Sequence, residues 1–206
     1  MAVWTIAAEE GTCGAEHAAA LARAADVPLL DRPALVAYAH EVDSEVGELE
    51  ELEERFGGRL NLAALGLAMT SGAAEAFREL RLRQELPELG RAVVAEAARR
   101  PCVIFASAAF AALQEHPAAI HVRLRAPLEW RIESYRRRAV VDRACAEKAV
   151  KHDDHVKRAW VKSLYHVDID DPGAFSLVLD VSRFSPDRVL ETMLAAAGVR
   201  MAEVGA

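Results

Sequence analysis

The chain has 206 residues, 52% of them hydrophobic and 28% charged, with a formal net charge of −7. That length suits one α/β domain with room for an insertion, and the apolar share fills a core without a membrane. No apolar run approaches the ~18 residues of a spanning helix, the amino-terminal stretch lacks a basic-then-apolar leader pattern, and the acidic balance argues against general nucleic-acid binding. Three cysteines, Cys13, Cys102 and Cys145, are odd in number and show no paired spacing. They fit reduced thiols and a cytoplasmic protein better than a disulfide framework.

Val3–Ala7 reads as a short buried strand, Gly11–Gly14 as a tight turn, and Ala15–Ala25 as an alanine-rich helix. A strand passing through glycines into a helix aims backbone N–H groups and a helix dipole at one point, the usual way of holding a phosphate. Gly11, Thr12, Cys13 and Gly14 are therefore candidate nucleotide-binding residues. The G-x-x-x-x-G-K-[ST] pattern is incomplete, because Ala15 and Glu16 follow Gly14 and Glu9 stands five places before it. Val27–Leu30 is a second strand, ending in Asp31-Arg32-Pro33. Strand, helix, strand is a βαβ rhythm, which favours a parallel sheet with ligands gathered at the carboxyl ends of its strands.

Pro33 opens a long helix in which Val42, Val46, Leu49, Leu52 and Phe56 share one stripe amid glutamates, and Gly57-Gly58 ends it. The stretch 43–89 is read as a helical insertion, and Gly90–Arg100 as a helix after it. Pro101–Phe105 is a central strand, followed by Ala106-Ser107-Ala108 and a short helix to Glu115. Ile120–Leu124 is a further strand. Ala126-Pro127 opens a basic helix, and Asp142 caps another, to about Val150. Asp153 or Asp154 caps a third, to about Tyr165. Asp168–Gly173 is a polar loop, Ser176–Val181 the last strand, and Ser185-Pro186 starts the final helix.

Between Arg123 and Lys162 there are 12 Lys/Arg against 6 Asp/Glu, so a basic segment sits in an acidic chain. That contrast points to a local anionic ligand, or to a solvated helix face. His152-Asp153-Asp154-His155 spaces two histidines as a metal site might, but no third ligand is in view, so no metal is expected. His17 follows the loop and could replace a loop cation only if protonated. Cys13 sits where a helix dipole could activate a thiol, although a small loop residue without a role is the better reading.

Ile6 to Gly14, Leu30-Asp31-Arg32, Pro101-Cys-Val-Ile104, the basic helix after Ala126-Pro127, Asp154 with Lys157, and Ser176-Leu-Val-Leu-Asp180 occur in one order. In that order and spacing the chain resembles the cytidylate kinase-like family of the P-loop nucleoside monophosphate kinases, from Val3 to about Met193. The resemblance implies a P-loop kinase-type parallel sheet of about five strands flanked by helices, as one domain over 1–206 with a lid at 131–165. It implies phosphoryl transfer from ATP, with Mg2+, to a CMP-like nucleoside monophosphate, and allows a homo-oligomer. Carried over onto this chain, Arg131, Asp154, Lys157 and Arg158 fall in catalytic positions. Arg136 and Asp31 fall on the nucleotide, Asp31 on the acceptor side. Lys157 replaces a usual arginine, with Arg158 beside it to restore a bidentate contact. Family members carry a cation where this chain has Ala15, and glycine-arginine-glycine where it has Ala106-Ser107-Ala108. Two phosphate-gripping cations are therefore missing, and Glu9 and Glu10 add negative charge nearby. The expected function is nucleotide binding with phosphoryl transfer weakened or lost; the rival is a non-catalytic, pseudokinase-like binding or regulatory protein on the same fold.

Overall fold

The computed structural model of the chain describes residues 2–31, 34–35, 91 and 94–198. The expected insertion at 43–89 and Arg32 lie outside the described residues. Five strands form one sheet: β1 (Val3–Ala8), β2 (Leu29–Leu30), β3 (Cys102–Phe105), β4 (Ala119–Arg125) and β5 (Leu177–Asp180). Their order is β2-β3-β1-β4-β5, and every pairing is parallel. β1 lies in the middle, with Trp4 opposite both Val103 and Ile120.

All six residues of β1 are buried, as a strand covered on both faces requires. Their alternation divides the core. Trp4, Ile6 and Ala8 pack with Ala18, Leu21 and Ala22 of α1 (Gly14–Ala24) and with Val189, Met193 and Leu194 of α5 (Pro186–Ala196). Val3 turns the other way, toward Ala109 of α2 (Ala109–Ala112) and Leu113 just after it. Ala7 meets Phe110, Val161 and Tyr165, the last two from α4 (Arg143–Tyr165). The polar residue on β1, Thr5, is fully buried but satisfied, its Oγ1 lying 2.8 Å from His121 Nδ1. The result is a sheet between two helical layers, with helix α3 (Leu128–Ala139) and α4 packed together over its carboxyl edge.

Several boundaries differ from those read in the sequence: the short helix ends at Ala112 rather than Glu115, the last strand is Leu177–Asp180 rather than Ser176–Val181, and two larger differences have a clear physical cause. β2 has two residues, not four, because Pro28 has no N–H to give and contributes only its carbonyl, which accepts from Val103 N. The basic segment after Asp142 is one helix of 23 residues, not two. Asp142 caps it as expected, accepting from Cys145 N at 2.8 Å. Asp153 and Asp154 do not start a new helix: no Pro or Gly interrupts 143–165, and both carboxylates engage side chains instead. Ser185 caps α5, with Pro186 at its first turn, as read.

Candidate phosphate-loop site

β1 leads directly into the loop Glu9–Cys13, and α1 starts at Gly14. Thr12 closes the loop on itself: its N–H and its Oγ1 both donate to Glu9 O, at 3.2 and 2.6 Å. That side chain is fully buried, so its hydroxyl serves the loop's own backbone. Gly11 has φ 90, and a Cβ there would collide with the backbone carbonyl of Arg131 on α3. Glycine is thus demanded both by conformation and by the approach of α3. Gly14 packs against Ala8 and the Phe105 ring, where a side chain would not fit. Cys13, at φ 57, places its Sγ 3.8 Å from Ser134 Oγ.

Around this loop runs a chain of alternating charges. Arg131, its side chain 7% exposed, donates from Nε to Ala126 O and from Nη1 to Glu10 O, at 3.0 and 3.1 Å. Its Nη1 also reaches Asp154 Oδ2 at 2.7 Å, and its Nε lies 3.2 Å from Glu9 Oε2. The same Glu9 oxygen accepts from Ala126 N at 3.1 Å, tying the loop to the end of β4. Glu10 N donates to Asp154 Oδ1 at 3.3 Å. Farther along the edge, Arg123 of β4 lies 3.9 Å from Glu9 and 3.2 Å from Asp170, and Asp170 accepts from Arg158 at 2.6 Å. Arg123 Nη1 is buried and finds no acceptor among the described residues.

Burial and pairing pull these groups in opposite directions. Burial lowers the Arg123 pKa below the ordinary guanidinium value, against the opposing influence of Glu9 and Asp170. For Asp170, burial disfavours the charged form, but the hydrogen bond and charge of Arg158, with Arg123 behind them, hold it below the usual carboxylate range. His17 is buried, and burial pushes it below its ordinary 6.5 against the opposing charge of Glu16, which works against a protonated stand-in for the loop cation.

The structure brings Arg131, Asp154 and Lys157 together at the start of the loop, against Ala8, Glu10 and Gly11. Lys157 Nζ donates to Ala8 O at 3.2 Å and lies 2.6 Å from Asp153 and 3.8 Å from Glu10. Arg158 points instead to Asp170. Arg136 is held on its own helix by both oxygens of Glu133, at 2.8 Å each, while Arg138 reaches Glu10 at 2.8 Å. Asp31, at the carboxyl end of β2, accepts from Ala34 N at 3.1 Å, as a helix cap does. Among the described residues, no three His, Cys, Asp or Glu side chains gather as metal ligands. No described helix is long and apolar enough to cross a membrane.

A central β1 running through a glycine turn into α1, within a parallel sheet of order β2-β3-β1-β4-β5 and beneath a helical pair, is the architecture of the P-loop kinases. The chain belongs to the cytidylate kinase-like family, whose model matches residues 3–183. Among solved structures it is similar to an uncharacterized protein from Eubacterium ventriosum, with 16% identity and a TM-score of 0.70 over 97% of this chain and 99% of that one. A Thermus thermophilus protein, TT1252, shares 25% identity over 100% of this chain and 98% of its own, with a TM-score of 0.47. A shikimate kinase from Bacteroides thetaiotaomicron shares 15% identity over 96% of this chain and 99% of its own, with a TM-score of 0.49. The likeness of fold rests on the first of these. A search of the curated proteins gave no match.

Proposed function

We propose that this chain binds nucleotides as a cytidylate kinase-like protein in which phosphoryl transfer from ATP to a nucleoside monophosphate is strongly weakened. The observation that carries this reading is Asp154. Its carboxylate engages both a loop N–H, from Glu10, and the buried guanidinium of Arg131, two donors a phosphate would otherwise use. Such transfers depend on positioning the phosphates and neutralising their charge, and loss of one arginine finger costs about 10³–10⁵ in rate. Here the loop has Ala15 in place of a cation, Ser107 stands where an arginine is usual, and burial disfavours a charged His17. Mg2+ arrives with ATP as part of the substrate; the Thr12 hydroxyl is turned onto Glu9 O.

The residues retained support binding. Arg131, Lys157 and Arg138 all approach the loop from the helical pair; Lys157 and Arg138 are partly exposed to an entering polyanion, with Arg131 buried behind Asp154. Asp31 lies at the carboxyl end of β2, on the same sheet edge as the loop, which supports an acceptor-side role for it. The second reading, a non-catalytic regulatory protein, is favoured by the way Glu9, Glu10, Asp153, Asp154 and Asp170 pair these cations internally. Calorimetry with ATP, ADP and CMP, with and without Mg2+, separates the two. Micromolar binding supports the nucleotide reading, and Ala15→Lys tightens it. No heat from any nucleotide at millimolar concentration leaves only the second.

A further inference from the structure

We propose that Asp154 is an internal latch: its carboxylate occupies the loop's anion-binding donors, and an external oxyanion gains them only by displacing it. Asp154 sits on α4, in the middle of a helix held over the loop, and its two oxygens divide the work. Oδ1 takes the Glu10 N–H at 3.3 Å, and Oδ2 takes Arg131 Nη1 at 2.7 Å. A backbone amide and a guanidinium converging on one carboxylate is the donor set that recognises phosphate as readily. The side chain is 15% exposed, so the contact lies at the mouth of the site, within reach of a ligand. Being tethered, the carboxylate competes at a millimolar or higher effective concentration.

The neighbouring groups make displacement feasible. When Asp154 leaves, Arg131 keeps Glu9 at 3.2 Å and two backbone carbonyls, so the guanidinium stays in place. The buried network is also short of acceptors, since Arg123 Nη1 has none among the described residues. An incoming oxyanion supplies acceptors and replaces the charge that Asp154 withdraws. The latch rests on the nucleotide reading only for the identity of the natural ligand; its chemistry is that of any phosphate chain.

The test is calorimetry of inorganic tripolyphosphate and of ATP with the full-length wild type, Asp154→Ala and Asp154→Asn, each checked by thermal melting for folding. Glu147→Gln serves as the control: it removes the same charge from the same helix, at a side chain 41% exposed whose partner is Lys151. Asp154→Ala binds tripolyphosphate about tenfold or more tighter than wild type, a difference that one charge-assisted contact accounts for. Asp154→Asn, which keeps the shape and one acceptor, falls between, and decides the matter if the alanine variant fails to fold. Glu147→Gln changes affinity no more than about twofold. Equal or weaker binding by the Asp154 variants, or an equal gain in Glu147→Gln, overturns the latch. ATP bound equally by wild type and Asp154→Ala refutes the latch while leaving the nucleotide reading standing. Tightened tripolyphosphate with no nucleotide bound at millimolar concentration does the reverse.

Discussion

Replacing Arg131 with methionine keeps an unbranched apolar stem and removes the guanidinium with its charge. The guanidinium is 7% exposed and holds Ala126 O, Glu10 O and Asp154, with Glu9 at 3.2 Å. Its loss strands two carboxylates whose side chains are only 10% and 15% exposed. Breaking a buried pair from one side costs about 3–5 kcal/mol. Glu9 still has the Ala126 N–H and Arg123 at 3.9 Å, which places the expected loss near the lower end. About 3 kcal/mol corresponds to a fall in melting temperature of roughly 6–12 °C for a domain of this size. Urea denaturation of Arg131→Met, Glu9→Gln and the double variant measures it. The double variant recovers part of the loss, with a coupling of at least ~1 kcal/mol. Arg131→Lys does not rescue, because an ammonium cannot serve acceptors on two sides of a planar fork. A loss below about 1 kcal/mol, or full rescue by lysine, refutes the view of Arg131 as the keystone between loop, β4 and α4.

Gly11→Ala combines a positive φ with a collision against the Arg131 carbonyl, so it destabilises by at least ~1–3 kcal/mol and loosens α3 from the loop; wild-type stability contradicts this. Burial holds His17 and His121 below their ordinary 6.5, so in acid the unfolded chain binds protons that the folded chain refuses. Their contribution is complete above 6.5 and is lost as the pH falls below it, which thermal melts between about pH 7 and 5 will show as a falling midpoint. His121→Gln flattens that slope; a flat wild-type profile contradicts the assignment. Asp170, held below its ordinary 3.8 despite burial, stabilises above that value and loses its contribution as the pH drops through its folded pKa. Asp170→Asn removes that part of the acid limb, and at neutral pH it costs about 1–3 kcal/mol by leaving Arg123 short of a carboxylate.

The fold was legible because local signals agreed. Val3–Ala7, Pro101–Phe105 and Ile120–Leu124 are apolar runs bounded by turn residues, and the observed strands, Val3–Ala8, Cys102–Phe105 and Ala119–Arg125, differ by one residue at an end. The loop was legible as geometry: Gly11 and Gly14 are required where the sequence placed a tight turn. Illegible were the partners. Glu9 reads as an inconvenient charge beside a phosphate loop, yet it joins Arg131 and Ala126, 122 and 117 positions away. Arg123 reads as the polar member of an alternating strand; only the edge it shares with Glu9 and Asp170 reveals its burial. The signal available was an arginine inside an apolar strand and an acid just past another, two unlike charges that parallel pairing sets side by side. Asp153 and Asp154 misled because a pair of acids is also a helix-start signal, and tertiary ion pairs outweighed that local preference.

The central claim is that this family member keeps the loop and the basic helices over it but has closed its phosphate cradle with its own carboxylates. Steady-state turnover of the wild-type chain with ATP, Mg2+ and CMP tests it most directly. Related kinases work at about 1–100 s⁻¹, and the account predicts a rate at least ~10³-fold lower. Turnover within the ordinary range would contradict it.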